Sequence, residues 1–237
     1  MPKTPPSKFT KLPAHLAIVP DGNGRWAEQR HKPRLKGHQA GAENMLRMVE
    51  YLSEYPIKYV TVYGFSTENW GRPKAEVDGL FELLARFIDK YLNYIHEKDI
   101  RLCHIGRLHQ LPQSLQKSIG RATELTGNNS RMTLNVAFNY GGRAEIVDAA
   151  RRLVADGVSP DDIDESVFEG YLYTAGLPAV DLLIRTGDEV RFSNFLIWQT
   201  AYSEYYLTDV LWPDFSKDDI DKALTSYSQR KRRFGAL

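Results

Sequence analysis

The sequence holds a single cysteine, Cys103, so no disulfide can form within the chain, and a reducing compartment, the cytoplasm, is expected. An excess of one charge is also missing: 31 Lys and Arg stand against 30 Asp and Glu, a formal net charge of +1. Such a balance gives no global field to gather nucleic acid, so any anion site must be local. No run nears the roughly 20 apolar residues of a spanning helix, and mean hydropathy is −0.44. At most peripheral membrane association is therefore expected. The opening MPKTPPSKFTKLPA lacks an apolar signal core and reads as a disordered tail over 1–14. No internal repeat and no further low-complexity tract follows it. The histidines lack metal-ligand spacing, which argues against zinc. There is no G-x-x-x-x-G-K-[ST], no G-x-G-x-x-G and no G-x-S-x-G, so the common nucleotide-binding and serine-hydrolase signatures are absent.

What remains is an alternation of short apolar runs and longer amphipathic ones. HLAIVP (15–20), KYVTVYGF (58–65), RLCHIG (101–106), MTLNVAFNY (132–140) and DLLIRT (181–186) read as strands: β-branched or aromatic, and stopped by Gly, Pro or Asn. GHQAGAENMLRMVEYLSE carries Met45, Leu46, Val49 and Leu52 at helical spacing. GGRAEIVDAARRLVADG ends at Gly157, a C-terminal cap. SKDDIDKALTSYSQRKRRF starts at Ser216 with aspartates in its first turns and ends in basic residues, as the helix dipole favours. Near-continuous apolar strands alternating with helices predict an α/β fold with a parallel sheet covered on both faces. No linker divides it, so 15–237 is taken as one domain. AEVDGLFELLARFIDKYLNYIHEK has an unusually wide apolar face from Val77 to Ile95. That face serves either a doubly buried helix or the wall of an apolar cavity.

Ligands of an open parallel sheet bind beyond the carboxyl ends of its strands. The residues that follow the runs are therefore informative: Asp21-Gly22-Asn23-Gly24-Arg25-Trp26, then Ser66-Thr67-Glu68-Asn69-Trp70-Gly71-Arg72, then Gly141-Gly142-Arg143, then Arg185-Thr186-Gly187-Asp188-Glu189-Val190-Arg191-Phe192-Ser193-Asn194. Every loop offers an arginine and most offer glycines that expose N–H donors; KPRLKGH adds Arg34 and His38. Guanidiniums, backbone donors and hydroxyls around one crevice suit a polyanion, most simply a diphosphate. Asp21 would repel such a ligand unless a divalent cation lay between them, and Mg²⁺ uses one or two carboxylates plus phosphate oxygens. Asp21 thus reads as the metal-side group, Gly22 and Gly24 as close-approach positions and Arg25 as a phosphate clamp. By itself DGNG is ordinary turn chemistry; the repetition of such loops favours a site. Cys103 reads as inert core, and the four tryptophans as core or interface.

HLAIVPDGNGRWA, PRLKGHQAGA, YGFSTENWGRP, NVAFNYGGRAEI, DLLIRTGDEVRFSNFLIWQTAYSEYYLTDVLWPDF and RRFG, in this order from residue 15 on, resemble the signature blocks of the cis-prenyltransferases, close to the undecaprenyl diphosphate synthases of bacteria. The resemblance implies a parallel six-stranded sheet flanked by helices, with an apolar tunnel, in a homodimer. It implies a Mg²⁺-dependent enzyme that condenses isopentenyl diphosphate onto an allylic diphosphate such as farnesyl diphosphate, with Z double bonds and release of diphosphate. The product would be a medium-chain polyprenyl diphosphate such as undecaprenyl diphosphate, a cell-wall lipid carrier. By position, Asp21 matches the motif aspartate that works with Mg²⁺. Gly22, Asn23, Gly24, Arg25, Arg34 and His38 match the allylic diphosphate pocket; Arg185, Arg191 and Ser193 match the isopentenyl diphosphate pocket. Ser66, Glu68, Asn69, Trp70 and Arg72 match a loop that closes over the substrates, and Asn69 and Trp26 are candidates for aligning the reacting carbons. Glu204 matches a carboxylate implicated in Mg²⁺ handling, and Arg233-Phe234-Gly235 a motif that reaches the partner subunit. Leu84, Phe87, Ile88, Gly64 and Met132 are candidates for setting product length.

Three positions depart from the common pattern. Pro20 stands where methionine is usual, Asp188 where glycine is common, and Val190 where a polar residue, often histidine, is common. The last two keep open a short-chain or branching enzyme of the same fold. A non-catalytic partner subunit is disfavoured by the presence of Asp21, Arg185 and Arg191.

Overall fold

Leu16 and Ile18 point to one side of the first strand and Ala17 and Val19 to the other, and all four are buried. A strand without a wet face needs cover on both sides, and the chain supplies it with helices. The computed structural model describes residues 9–230. Six strands, β1 (His15–Val19), β2 (Tyr59–Ser66), β3 (Ile100–Ile105), β4 (Met132–Tyr140), β5 (Leu182–Arg185) and β6 (Glu204–Leu207), form one sheet in the order β3-β4-β2-β1-β5-β6. Every pairing is parallel. The helices are α1 (Asn23–Glu28), α2 (Arg34–Ser53), α3 (Lys74–Glu97), α4 (Gln113–Leu125), α5 (Gly142–Ala155), α6 (Glu165–Glu169) and α7 (Lys217–Gln229).

From β1 the chain passes to β2 on one side, and its other neighbour, β5, joins more than 160 residues later in sequence, in register Ile18 to Ile184 and Val19 to Arg185. The carboxyl end of β1 is therefore the switch point of the sheet. One core, with Leu16, Ile18, Val60, Val62 and Ile184, lies under α2 and α7; the opposite one gathers Ala17, Val19, Leu183 and Phe195; a third, around Phe65, Phe81 and Phe138, lies between α3 and α4.

Ser216 starts α7 as expected, in a reciprocal capping box with Asp219. Gly157, just beyond α5, adopts φ +68. Four expectations are corrected. β6 went unread because EYYL is a half-buried edge strand without an apolar run, and α4 because QSLQKSIGRATEL is short and largely polar. The last helix stops at Gln229, where Arg230 turns extended, rather than running on to Phe234. Residues 9–14 are not a loose tail: Phe9 meets Tyr55 edge-on at 5.7 Å, Leu12 packs on the core and the Lys11 ammonium lies over the Tyr227 ring. Residues 1–8 of that tail lie outside the described residues.

Candidate functional site

The site begins where β1 stops. Asp21 N–H donates to Val19 O at 3.0 Å, a three-residue turn centred on Pro20, whose fixed φ suits it. Gly22 follows at φ +105, in the left-handed region, and caps α1. The short α1 is pressed onto α2 because two glycines of PRLKGHQAGA remove side chains at the contact. A Cβ on Gly37 would lie 2.0 Å from Asn23 O, and one on Gly41 2.2 Å from Asn23 Oδ1. The Asp21 carboxylate accepts from Gly22 N–H at 2.6 Å and lies 3.6 Å from Arg25.

Across the switch point, Arg185 ends β5 almost wholly buried. Its Nη2 donates to Asp21 Oδ2 at 2.8 Å and its Nη1 to Ser193 Oγ at 2.8 Å and to Arg191 O. Arg185 Nε is buried with no partner among the described residues, so one donor is left for an incoming oxygen. Thr186 Oγ1 donates to Asp21 O at 2.8 Å, and Arg25 Nη2 to Gly187 O at 2.6 Å. Asp188, the position where glycine is common, has φ +58. Glycine is the favoured residue there, and a short polar side chain is among the few others that tolerate it. Arg191 pairs with Glu189, while Val190 is 83% exposed.

After β2, Ser66 and Asn69 form a capping box, with Ser66 N–H donating to Asn69 Oδ1 at 3.0 Å. Arg72 Nη1 then reaches Glu76 Oε1 at 3.1 Å. Arg34 Nε and His38 Nε2 each lie 3.6 Å from the same carboxylate, and Arg34 Nη1 also bonds Glu28 Oε1 at 2.6 Å. Burial, and after it the Arg72 guanidinium, push His38 down to about 4, so the imidazole is neutral at neutral pH and offers a hydrogen bond rather than a charge.

These three loops form the mouth of one cavity of about 550 Å³. Its polar mouth includes Asp21, Gly22, Asn23, Gly24, Arg34, His38, Ser66, Asn69, Arg72, Arg185, Arg191 and Ser193. Its depth is apolar, and α3 explains why. That helix is buried at Val77, Phe81, Leu92 and Ile95, and along its middle the half-buried Leu84, Phe87 and Ile88 line the cavity, Leu84 and Ile88 also packing against the core around Phe65 and Phe138. Gly64 of β2 lines the cavity too; Met132, expected with these, is a core residue 1% exposed and does not reach the wall. Cys103, expected as inert core, is half-buried on the cavity wall, its thiol raised by burial.

Five of the singled-out side chains are directed elsewhere. Arg25 backs Asp21 and Gly187 from behind the wall. Trp26 Nε1 donates to Asp214 Oδ1 at 2.7 Å, with Arg30 4.4 Å above the ring. Trp70 Nε1 donates to Asn139 Oδ1 at 2.8 Å, with its ring against Phe65 and Phe81. Glu68 accepts from Asn194 at 2.7 Å, and this bond helps hold it below the usual carboxylate range although desolvation opposes it. Glu204 is the fifth: it stands at the amino end of β6, beside Leu182 rather than Arg185, and its carboxylate pairs with Arg230 at 2.8 Å. Within one chain Glu204 is thus set three residues along β6 from Leu207, the residue paired with Arg185 beside Asp21. Arg233-Phe234-Gly235 lies outside the described residues.

Among the described residues no three His, Cys, Asp or Glu side chains are grouped to hold a metal ion. A carboxylate at a cation-rich mouth does fit Mg²⁺, which completes its shell with phosphate oxygens and water, and Asp21 is 33% exposed there. Sequence reasoning missed Glu76 and the buried group in which Tyr140 and Gln199 donate to Glu145 Oε2 at 2.5 and 3.0 Å. The four-residue spacing of Arg72 and Glu76 on a helix start was the available signal for the first; nothing in the sequence pattern marks the second. No helix among the described residues is long and apolar enough to cross a membrane.

Comparison with known proteins places the sequence and the fold among prenyltransferases. The family model described as undecaprenyl diphosphate synthase matches residues 19–235. An isoprenyl transferase of Fusobacterium nucleatum is 51% identical over 226 residues, covering 95% of this chain and 97% of that protein. The ditrans,polycis-undecaprenyl-diphosphate synthase ((2E,6E)-farnesyl-diphosphate specific) of Micrococcus luteus is 44% identical over 231 residues, 96% of this chain and 93% of that one. The crystal structure of lavandulyl diphosphate synthase from Lavandula x intermedia, in complex with dimethylallyl diphosphate, superposes with a TM-score of 0.92 at 39% identity, covering 95% of this chain and 99% of that one.

Proposed function

Because the chain belongs to the undecaprenyl diphosphate synthase family of prenyltransferases, we propose that it condenses isopentenyl diphosphate onto an allylic diphosphate such as farnesyl diphosphate, forming Z double bonds and ending at a medium-chain product such as undecaprenyl diphosphate. The observation that carries this reading is the joining of an arginine-rich mouth to an apolar cavity of about 550 Å³ under α3.

Breaking the allylic C–O bond puts negative charge on diphosphate and positive charge on carbon. Asn23, Gly24, Arg34 and His38 take the allylic diphosphate on the α1–α2 side. Arg185, with its free Nε, takes the isopentenyl diphosphate together with Arg191 and Ser193. Fixed donors around the allylic head stabilise the leaving diphosphate as its charge grows, while those around the isopentenyl head only hold and orient the acceptor. Asp21 would hold Mg²⁺, which would supply further positive charge to the leaving group. Leu84, Phe87 and Ile88 keep water from the cationic carbon and receive the growing chain. Asn69, fixed by its bond to Ser66, lies at the rim where the two substrates meet. The exposed Ile197, Tyr202 and Leu207, on and beside the edge strand β6, support a homodimer through that edge. A cytoplasmic site of action, with at most peripheral contact with the membrane that takes up the product, completes the reading.

The test is incubation of the purified chain with farnesyl diphosphate, isopentenyl diphosphate and Mg²⁺, followed by sizing of the products. Failure to elongate, with Asp21→Ala indistinguishable from wild type, would defeat it. Activity of the chain alone also excludes a non-catalytic partner subunit. A second reading, a short-chain or branching synthase, is favoured by the likeness to lavandulyl diphosphate synthase. Offered dimethylallyl diphosphate, such an enzyme stops after one condensation, and product mass separates the two.

A further inference from the structure

Asp21 is not the only carboxylate among the mouth's cations. Glu76, in the first turn of α3, is 15% exposed and has Arg72 Nη1 at 3.1 Å, Arg34 Nε at 3.6 Å and His38 Nε2 at 3.6 Å. Asp21 faces Arg185, and Glu76 faces Arg72 and, at 3.6 Å, Arg34, which also bonds the exposed Glu28 at 2.6 Å. A helix-stabilising Arg72–Glu76 pair alone would not draw in Arg34 and His38 from α2, a separate element.

We propose that Glu76 is a positioning residue that stands in for diphosphate: its carboxylate occupies Arg34 and Arg72 until substrate displaces it, which ties occupancy of the pocket to the start of α3. The inference rests on the diphosphate reading of this pocket. Its geometry suits a replaceable partner. Of its three contacts, only Arg72 is at hydrogen-bond distance, and none is the bidentate fork that makes an arginine–carboxylate pair strong. A diphosphate brings more charge and more oxygens to the same guanidiniums, and two anions cannot share them without repulsion. Release of Glu76 is also unobstructed. The segment leading to it, Gly71 to Ala75, is mostly exposed, nothing lies within 4 Å of a Cβ placed on Gly71, and α3 has no side-chain cap at its start. The same helix walls the cavity at Leu84, Phe87 and Ile88, so binding of the charged head is coupled to the wall that meets the tail, and the coupling runs equally in both directions.

The experiment titrates inorganic diphosphate into the full chain by calorimetry, for wild type, Glu76→Gln and Glu76→Asp, with melting temperatures recorded free and at saturation. Glu76→Gln keeps the shape and removes the competing charge. It is expected to bind inorganic diphosphate roughly tenfold more tightly, the effect of losing one charge-assisted contact. Glu76→Asp, which draws the charge back by one methylene, should fall between. Glu76→Gln should melt below wild type when free and together with it when saturated, because the bound state no longer uses the carboxylate. A purely structural glutamate predicts the opposite: weaker binding and a lower melting temperature in both states. Equal or weaker binding by folded Glu76→Gln overturns the proposal, and Glu76→Asp decides alone should Glu76→Gln not fold. No binding by wild type as well would instead remove the diphosphate pocket itself, and this inference with it.

Discussion

Arg185 Nη2 lies 2.8 Å from Asp21 Oδ2, a contact that closes the seam between β1 and β5 across 164 residues of sequence. The guanidinium is 3% exposed and the carboxylate 33%, so the buried cation depends on the acid while the acid keeps a face toward the cavity. Asp21→Asn is expected to lower kcat by about 10²–10³-fold, the scale of removing one charge-stabilising group. Asp21→Ala adds a cost of about 1–2 kcal/mol in stability, reduced from that of a fully buried pair by the exposure of Asp21. Diphosphate release kinetics and thermal melts measure the two effects; an unchanged kcat would take Asp21 out of the reaction.

Gly37 is where α2 touches the backbone of the Asp21 loop, since a Cβ there would meet Asn23 O at 2.0 Å. Gly37→Ala should cost about 1–3 kcal/mol through overpacking. It should also raise KM for the allylic substrate, because the displaced start of α1 carries Asn23 and Gly24. Gly120 of α4, with open space around its Cβ position, is the matched control. Gly120→Ala should stabilise by about 0.5–1 kcal/mol and leave KM alone. Two variants with the same effect would refute the steric account.

Product length offers a third check. A Cβ on Gly64 would stand 3.0 Å from Phe138 Cδ2, at the wall of the cavity. Gly64→Leu fills space there and should shorten the longest product by one or more isoprene units, whereas Phe87→Ala should lengthen it. Met132→Ala, in the core, should lower stability by about 2–5 kcal/mol without moving the product distribution. Chromatographic sizing of the products decides; a shift caused by Met132→Ala alone would contradict the wall as described.

Acid should unfold the protein through its buried imidazoles. Burial lowers His15, His38 and His104, with His38 at about 4. A histidine held below its unfolded value contributes stability that is whole above pH 6.5 and is lost as pH falls toward the folded value, because the unfolded chain then binds more protons. For His38 the window runs from 6.5 down to about 4. Buried Glu145 has the opposite sign, since its raised carboxyl favours the folded state at low pH. Melting temperature should therefore fall from pH 7 to pH 5, and His38→Gln should flatten the slope. An unchanged slope would mean that His38 binds its proton equally well in the folded and unfolded chains.

Much of the fold was legible because its signals are local. HLAIVP and DLLIRT read as strands since both faces of each are buried, which leaves no polar position to interrupt the run. EYYL was not read, because an edge strand keeps a wet side and loses the pattern. The site was legible as a set of strand-end loops, yet not as a set of contacts. Trp26 and Trp70 carry the same sequence prominence as Arg34 and Arg72, but their indoles are claimed by Asp214 and Asn139, partners set by the fold. Glu204 lies three residues along β6 from Leu207, the residue paired with Arg185, an offset that only the β5–β6 pairing defines.

By itself the amino-acid order determined the alternation of strand and helix, the glycines that permit close approach, and the arginines and Asp21 waiting at strand ends, since each follows from backbone sterics and side-chain chemistry over a few residues. Only the tertiary structure decided that β5 docks beside β1 and so joins Asp21 to Arg185, that the middle of α3 lines a cavity, and that Glu76 stands among Arg34, His38 and Arg72. Those outcomes depend on how whole elements pack, and packing energy is shared by residues far apart in the chain.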